Sequence, residues 1–208
     1  MLRKLSEEQQ NKLIESAIDE FGKKGLTGAA IADIAKSAGI SVGVIYKYYK
    51  NKEELFDYCL EHSLNVLGDV LDDAVSEETT LMGACEKLIR ACQKFGRDHG
   101  PYIRMYHIIT LTGGEDAMNR AEAIEAITAR MYTSLITKEQ EQGNVKKELD
   151  PGLFAMFFDN LLMMLHFSYG CKYYEERMKF YFPECEDQDE RILRQLMLFI
   201  EGAFGIRE

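Results

Sequence analysis

Between Ile34 and Tyr46 the chain reads Ile-Ala-Lys-Ser-Ala-Gly-Ile-Ser-Val-Gly-Val-Ile-Tyr. A helix, a turn of about four residues carrying a glycine, and a second short helix make a helix-turn-helix unit. The residue types meet its demands one by one. Small Ala35 and Ala38 let the two helices approach, Gly39 supplies the turn, and Ile40 and Ile45 plug the shared core. Ser41 is placed to cap the second helix, so that its N-terminus and first residues can enter a major groove. The chemistry is therefore contact with bases and phosphates, not bond-making.

Constellations for bond-making are missing. There is no Gly-x-x-x-x-Gly-Lys loop, no His-Glu-x-x-His and no Gly-x-Ser-x-Gly. The five cysteines (59, 85, 92, 171 and 185) form no Cys-x-x-Cys pair, and Cys85 with Cys92 makes too few ligands for zinc. Neither a cofactor nor a metal is expected, and an enzyme is disfavoured. Scattered core-type cysteines and an N-terminus without an apolar run point to a reduced cytoplasm. The most apolar stretch, Leu153 to Tyr169, is interrupted by Asp159, Asn160 and His166 and is too short to span a membrane comfortably.

The net charge of −10 is unevenly spread: residues 1–55 carry nine Lys/Arg against eight Asp/Glu, so the acidity lies in the remainder. A near-neutral head on an acidic body suits contact through a small local patch and argues against broad nucleic-acid binding.

The elements that position this unit are helical. Three prolines and long runs of Ala, Leu, Met, Glu, Lys and Gln give an all-α fold. A first helix is expected from Ser6 to Lys24, opened by a Ser6–Gln9 capping box and striped by Leu13, Ile14, Ala17, Ile18 and Phe21. Asn51 caps a longer helix from Lys52. Further helices are expected over about 78–97, 101–111, 115–142, 150–175 and 188–204, about nine in all. Asp150-Pro151 is a strong start signal, while Gly113-Gly114 and Gly143-Asn144 mark joints.

Ile14, Ala17, Phe21, Gly25, Ile34-Ala35, Ala38-Gly39-Ile40-Ser41-x-Gly43 and Tyr46-x-Tyr48-Tyr49-x-Asn51-Lys52-Glu53-Glu54-Leu55 together resemble the N-terminal signature of TetR-family transcriptional regulators. The resemblance covers about residues 10–60, with a looser echo where Gly143 precedes Asp150-Pro151. It implies a helix-turn-helix domain over residues 1–53 and an effector-binding and dimerisation domain over 54–208. It places Val42, Gly43 and Val44 at the groove-facing start of the recognition helix, with Tyr46, Tyr48, Lys47 and Lys52 at phosphate or sugar and Tyr49 in a buried aromatic position. Ala29 and Ala30 stand where many members have a hydroxyl, so Thr27 or Gly28 is expected to cap the second helix. Valines at 42 and 44 can meet a thymine methyl but cannot form a bidentate hydrogen bond, so readout rests on apolar contact, backbone and DNA shape.

The resemblance further implies a cytoplasmic homodimer, paired through the helices at about 150–175 and 188–204, on a palindromic double-stranded operator. It also implies repression controlled by a small, largely apolar effector. Aromatic and methionine side chains suit an adaptable cavity: Phe95, Tyr102, Met105, Tyr106, Ile109, Met131, Phe158, Leu161 and Met164, with Phe157 and Phe167 as further material. Asp159, between Phe158 and Asn160 on an otherwise apolar helix, is placed to hold a cationic ligand, to pair across the dimer or to face water. Arg104, His107 and His166 are further polar candidates. A helical protein-binding adaptor that no longer reads DNA is the rival reading.

Overall fold

The structure, a computed structural model, describes residues 5–75, 80–112, 115–183 and 186–204, with some side chains of the sixth and seventh helices excepted. Gly113 and Gly114, read from the sequence as a joint, and Cys185, one of the five cysteines, lie outside the described residues. Ten helices and no strands occur among them: α1 (Glu7–Gly28), α2 (Ile31–Ala38), α3 (Val42–Tyr48), α4 (Lys52–Val75), α5 (Leu81–Asp98), α6 (Gly100–Thr112), α7 (Glu115–Glu141), α8 (Pro151–Gly170), α9 (Lys172–Tyr181) and α10 (Gln188–Phe204).

Local signals set most boundaries. The Ser6 hydroxyl accepts from the Gln9 amide and the Gln9 side chain accepts from the Ser6 amide, the reciprocal capping box. Gly25, at φ 66° and ψ 178°, kinks α1 where the sequence expected its end, and a further short turn runs on to Gly28. Gly39 closes α2 in the left-handed region, at φ 70°. The Asn51 carboxamide oxygen accepts from the Glu54 amide at 2.8 Å to open α4, and Asp150 accepts from the Leu153 amide at 3.0 Å to open α8.

Leu13, Ile14, Ala17, Ile18 and Phe21 of α1 bury against Ile34, Ala35 and Ala38 of α2 and Ile45 of α3. Each such aliphatic side chain contributes roughly 1.5–3 kcal/mol. The core does not stop at this head. Helix α4 enters it with Leu55 and Phe56, whose ring meets Phe21 edge-on at 5.2 Å. It then runs into the body with Cys59, Leu60, Leu64, Leu67 and Leu71. There α5, α6 and α7 pack against it, and α8 packs on those three. Helix α10 lies against α5 through the Arg90–Glu190 and Arg97–Asp189 ion pairs.

One expected element divides. The helix foreseen over 150–175 ends at Gly170, and Cys171, at φ −121° and ψ 118°, separates α8 from α9. The break falls beside a close helix–helix contact. Gly170 sits so near Ile103 of α6 that a β-carbon there would lie 2.6 Å from the Ile103 β-carbon. No described helix is long and apolar enough to cross a membrane.

Candidate nucleic-acid interface and interior cavity

The head presents the short helix α3 outward. Ile45 alone of its residues is buried; Gly43, Tyr46 and Lys47 are exposed, and Val42 and Val44 are half-buried beside the turn. Ser41 holds the N-cap position with extended backbone, but its hydroxyl makes no capping bond. That corrects the expectation of a serine cap and leaves the first amides of α3 without a side-chain partner from Ser41. Thr27 and Gly28 do not cap α2 either: Ala30 occupies the cap position, and its amide is met from α1 by the Glu20 carboxylate at 3.3 Å. Glu20 also binds Lys24 at 2.7 Å.

The aromatic cluster is sorted by burial. Tyr46 is half exposed, at 49%. The Tyr48 hydroxyl accepts from the Leu5 amide at 2.7 Å, pinning the N-terminal arm to α3, while Lys47 lies 6.0 Å from the Tyr48 ring. Tyr49 packs on Tyr58 at 5.5 Å, and burial pushes its hydroxyl well above the usual phenol range. Lys52 has a role that its sequence position did not reveal. Its ammonium donates to the carbonyls of Ala29, at 3.1 Å, and Thr27, at 3.4 Å, and so braces the α1–α2 connection from the first turn of α4.

In the body, a void of about 30 Å³ lies where α4, α6, α7 and α8 converge. Leu64, Leu67 and Leu71 form the α4 wall; Tyr106, Glu125, Thr128, Tyr132, Asp159, Leu162, Met163 and His166 form the rest. Two of the residues singled out from sequence for a pocket, Tyr106 and Asp159, border it, and His166 does too. The Tyr106 hydroxyl donates to Glu125 at 3.1 Å. Burial, with Glu125 adding like charge, raises the Asp159 carboxyl to about 6. Burial also drives His166 down to about 4, so its imidazole is neutral. The Tyr132 hydroxyl and His166 Nε2 are buried with no hydrogen-bond partner.

The remaining pocket candidates lie elsewhere. Phe95 and Met105 are sealed in the helix core. Phe158 meets Tyr132 edge-on at 5.3 Å, and Met131 is half-buried on α7. The Ile109 side chain lies outside the described ones. Tyr102 faces the head, where its hydroxyl donates to Glu15 of α1. Leu161 borders a cleft with Phe182, Arg191, Ile192, Gln195, Leu196 and Phe199. Met164 is 39% exposed, like its α8 neighbours Leu153, Met156 and Phe157, and on α10 Leu198 and Phe199 are 60% and 61% exposed. Leu161 and Met164 therefore belong to an outer apolar face, not to the interior void. Helix α8 is apolar on nearly every side, so composition alone could not tell these faces apart.

The void is tied to the head by two elements. Helix α4 carries one wall and starts at Lys52. Helix α6 carries Tyr106 at the void and, one turn away, Tyr102 at Glu15 and Arg104, whose guanidinium lies 3.7 Å from Asp19 of α1. Arg104 also donates to the carbonyl of Gly170 at 3.2 Å, joining the end of α8 to the same relay.

Residues 13–59 match the family described as bacterial regulatory proteins, tetR family. Over 189 residues, 90% of this chain and 94% of the relative, the sequence is 24% identical to IcaR, the HTH-type negative transcriptional regulator of the icaADBC biofilm operon in Staphylococcus epidermidis. The fold is similar to that of the ketosteroid transcriptional regulator KstR2 of Mycobacterium tuberculosis, with a TM-score of 0.72 at 20% identity over 99% of this chain and 98% of the other. It is also similar to AibR, solved with isovaleryl coenzyme A and operator DNA, with a TM-score of 0.68 at 15% identity over 97% and 100%.

Proposed function

On the premise that the chain is a DNA-binding transcriptional regulator of the tetR family of bacterial regulatory proteins, we propose that it is a homodimeric repressor whose grip on operator DNA is released by a small molecule bound in the body. The observation that carries this reading is the double tie between void and head. A ligand that widens the void displaces the Leu64, Leu67 and Leu71 wall of α4 and the Tyr106 end of α6, and both helices contact α1. Helices bury their faces in discrete arrangements, so such a displacement moves the head as a unit. The division proposed is a DNA-reading domain over residues 1–53 and an effector and dimerisation domain over 54–208. The compartment is the cytoplasm, where the DNA is.

In this reading Ser41, Val42, Gly43 and Val44 approach the bases, while Tyr46, Lys47, Tyr48, Lys52 and the exposed Thr27 line the phosphate track. Selection of bound duplexes from a random pool at moderate salt tests it. A recovered palindrome with half-sites about one turn apart, or a multiple of that, is the expected outcome; no enrichment by folded, dimeric protein would overturn it. Lys52→Ala is expected to weaken binding to every recovered duplex by about tenfold and to lower the salt slope by about one, without altering the preferred sequence. A changed sequence preference in that variant would place Lys52 at a base.

Dimerisation is assigned to the outer faces of α8 and α10, where Leu153, Met156, Phe157, Leu198 and Phe199 expose apolar surface. Contiguous exposed apolar patches of this kind mark interaction sites. The double variant Leu198→Glu with Phe199→Glu is expected to sediment as a folded monomer. It should bind a palindrome on the order of a hundredfold more weakly, because the second half-site no longer benefits from tethering. A variant that stays dimeric would move the interface to another face.

A further inference from the structure

We propose that the effector is an organic cation, an amine or quaternary ammonium compound whose charged head enters the α4–α6–α7–α8 void against Asp159 and Glu125. This rests on the reading of the chain as an effector-controlled regulator and names the ligand class for that site.

The charges of the void carry one sign. Asp159 and Glu125 border it, and among the described residues no lysine or arginine does. Its histidine, His166, is held neutral by burial. No described basic side chain forms an ion pair with Asp159, and Glu125 makes the ionised carboxylate costlier still. A carboxylate largely withdrawn from water and lacking a cation is disfavoured in its charged form unless it takes up a proton. A ligand ammonium removes that cost, whereas a ligand carboxylate or phosphate adds a third like charge.

The second observation is the pair of orphaned polar atoms. Tyr132, 2% exposed, and His166, 3% exposed, bring a hydroxyl and a ring nitrogen to the same void with no partner for either. Buried polar groups are nearly always satisfied, and exceptions call for a missing partner. The N–H of an amine head, or a hydroxyl beside a quaternary one, meets that need, while a bare trimethylammonium head is held by charge and ring contact alone. The rings of Tyr106 and Tyr132 add the electron-rich surface that ammonium groups favour in desolvated sites.

Size links the head to regulation. The void is small, about 30 Å³, with Leu64, Leu67 and Leu71 as its α4 wall. An unsubstituted ammonium fits with little rearrangement. A bulkier trimethylammonium head presses harder on the Leu64, Leu67 and Leu71 wall of α4. Larger heads are therefore expected to release operator more strongly than smaller ones at equal occupancy.

The test uses the intact protein, a duplex recovered by selection, and two chain-matched probes below their micelle concentrations: octyltrimethylammonium and octanoate. Calorimetry reads probe binding, and duplex retention reads release. Octyltrimethylammonium is expected to bind and to lower duplex affinity at least tenfold, and octanoate to do neither. Asp159→Asn, isosteric and uncharged, is expected to weaken cation binding at least tenfold while retaining the duplex. Glu125→Gln, on an exposed residue that does not endanger folding, is expected to weaken it less. Octanoate binding in place of the cation, or undiminished cation binding by Asp159→Asn, would overturn the assignment. Failures of the two readings separate cleanly. Protein that captures duplex but not the cation loses the cation site alone. Protein that binds the cation through Asp159 but captures no duplex loses the regulator reading and keeps the site.

Discussion

Gly170→Ala is expected to destabilise the protein by about 3 kcal/mol or more, the largest loss from any single added methyl group here. A β-carbon at Gly170 falls 2.6 Å from the β-carbon of Ile103, 2.7 Å from its Cγ2 and 3.2 Å from its Cγ1. Ile103 is fully buried on α6, and its branched β-carbon leaves it no alternative rotamer of similar energy. The clash must therefore move α6 or the end of α8. Either movement strains the bond from Arg104 to the Gly170 carbonyl, and with it the contact from Arg104 to Asp19 in the head. Gly96→Ala meets the Tyr169 β-carbon at 2.6 Å and should fall in the same class. Gly68→Ala is the control. It lies inside α4 with open space around it, so the substitution should stabilise by roughly 0.5–1 kcal/mol through helix propensity alone. Urea midpoints of the three variants give the comparison. A Gly170→Ala midpoint no lower than that of Gly68→Ala would mean that α6 and α8 do not approach as described.

Two glycines, Gly39 and Gly170, show what can and cannot be read from a sequence. Gly39 was readable because its role is local: a helix stops when one residue takes a left-handed conformation, and the flanking apolar spacing announces where. Ser6 with Gln9 and Asp150 with Pro151 were readable for the same reason, since each cap closes within four residues. Gly170 carries no such mark. Its need to be small comes from Ile103, on a helix far away in sequence, and the break after it, at Cys171, stands where the apolar pattern predicts continuous helix. Lys52 shows a related limit: its spacing placed it at the start of α4, but its bonds to Thr27 and Ala29 depend on how the head folds back. The void was half readable. Asp159 stood out as a charge in an apolar helix and Tyr106 as an aromatic beside it. The α7 wall, Glu125, Thr128 and Tyr132, sits on a long helix whose polar residues look like ordinary solvent-facing ones.

Stability between pH 4 and 6.5 is expected to hide two opposing slopes, each exposed by one substitution. The Asp159 carboxyl is raised by burial from 3.8 to about 6. The folded state thus binds a proton that the unfolded state has released, and stability is lost as pH rises from about 4 to about 6. The His166 imidazole is lowered by burial from 6.5 to about 4. Here the unfolded state binds the proton first, and stability is lost as pH falls from about 6.5 to about 4. Each change of a little over two units corresponds to up to about 3 kcal/mol, so in the wild type the two nearly cancel. Asp159→Asn should therefore lose up to about 3 kcal/mol relative to wild type on acidification from pH 6.5 to 4, starting from a higher value at neutral pH. His166→Gln should gain relative to wild type over the same interval, and the double variant should parallel the wild type again. Using differences between curves removes the background of exposed carboxylates that all four proteins share. Parallel curves for Asp159→Asn and the wild type would place the carboxylate in water instead of at the void. A ligand gives the same test a second form. A cation bound against Asp159 returns its carboxyl toward the usual range, so wild type saturated with octyltrimethylammonium should lose stability on acidification with the steepness of Asp159→Asn.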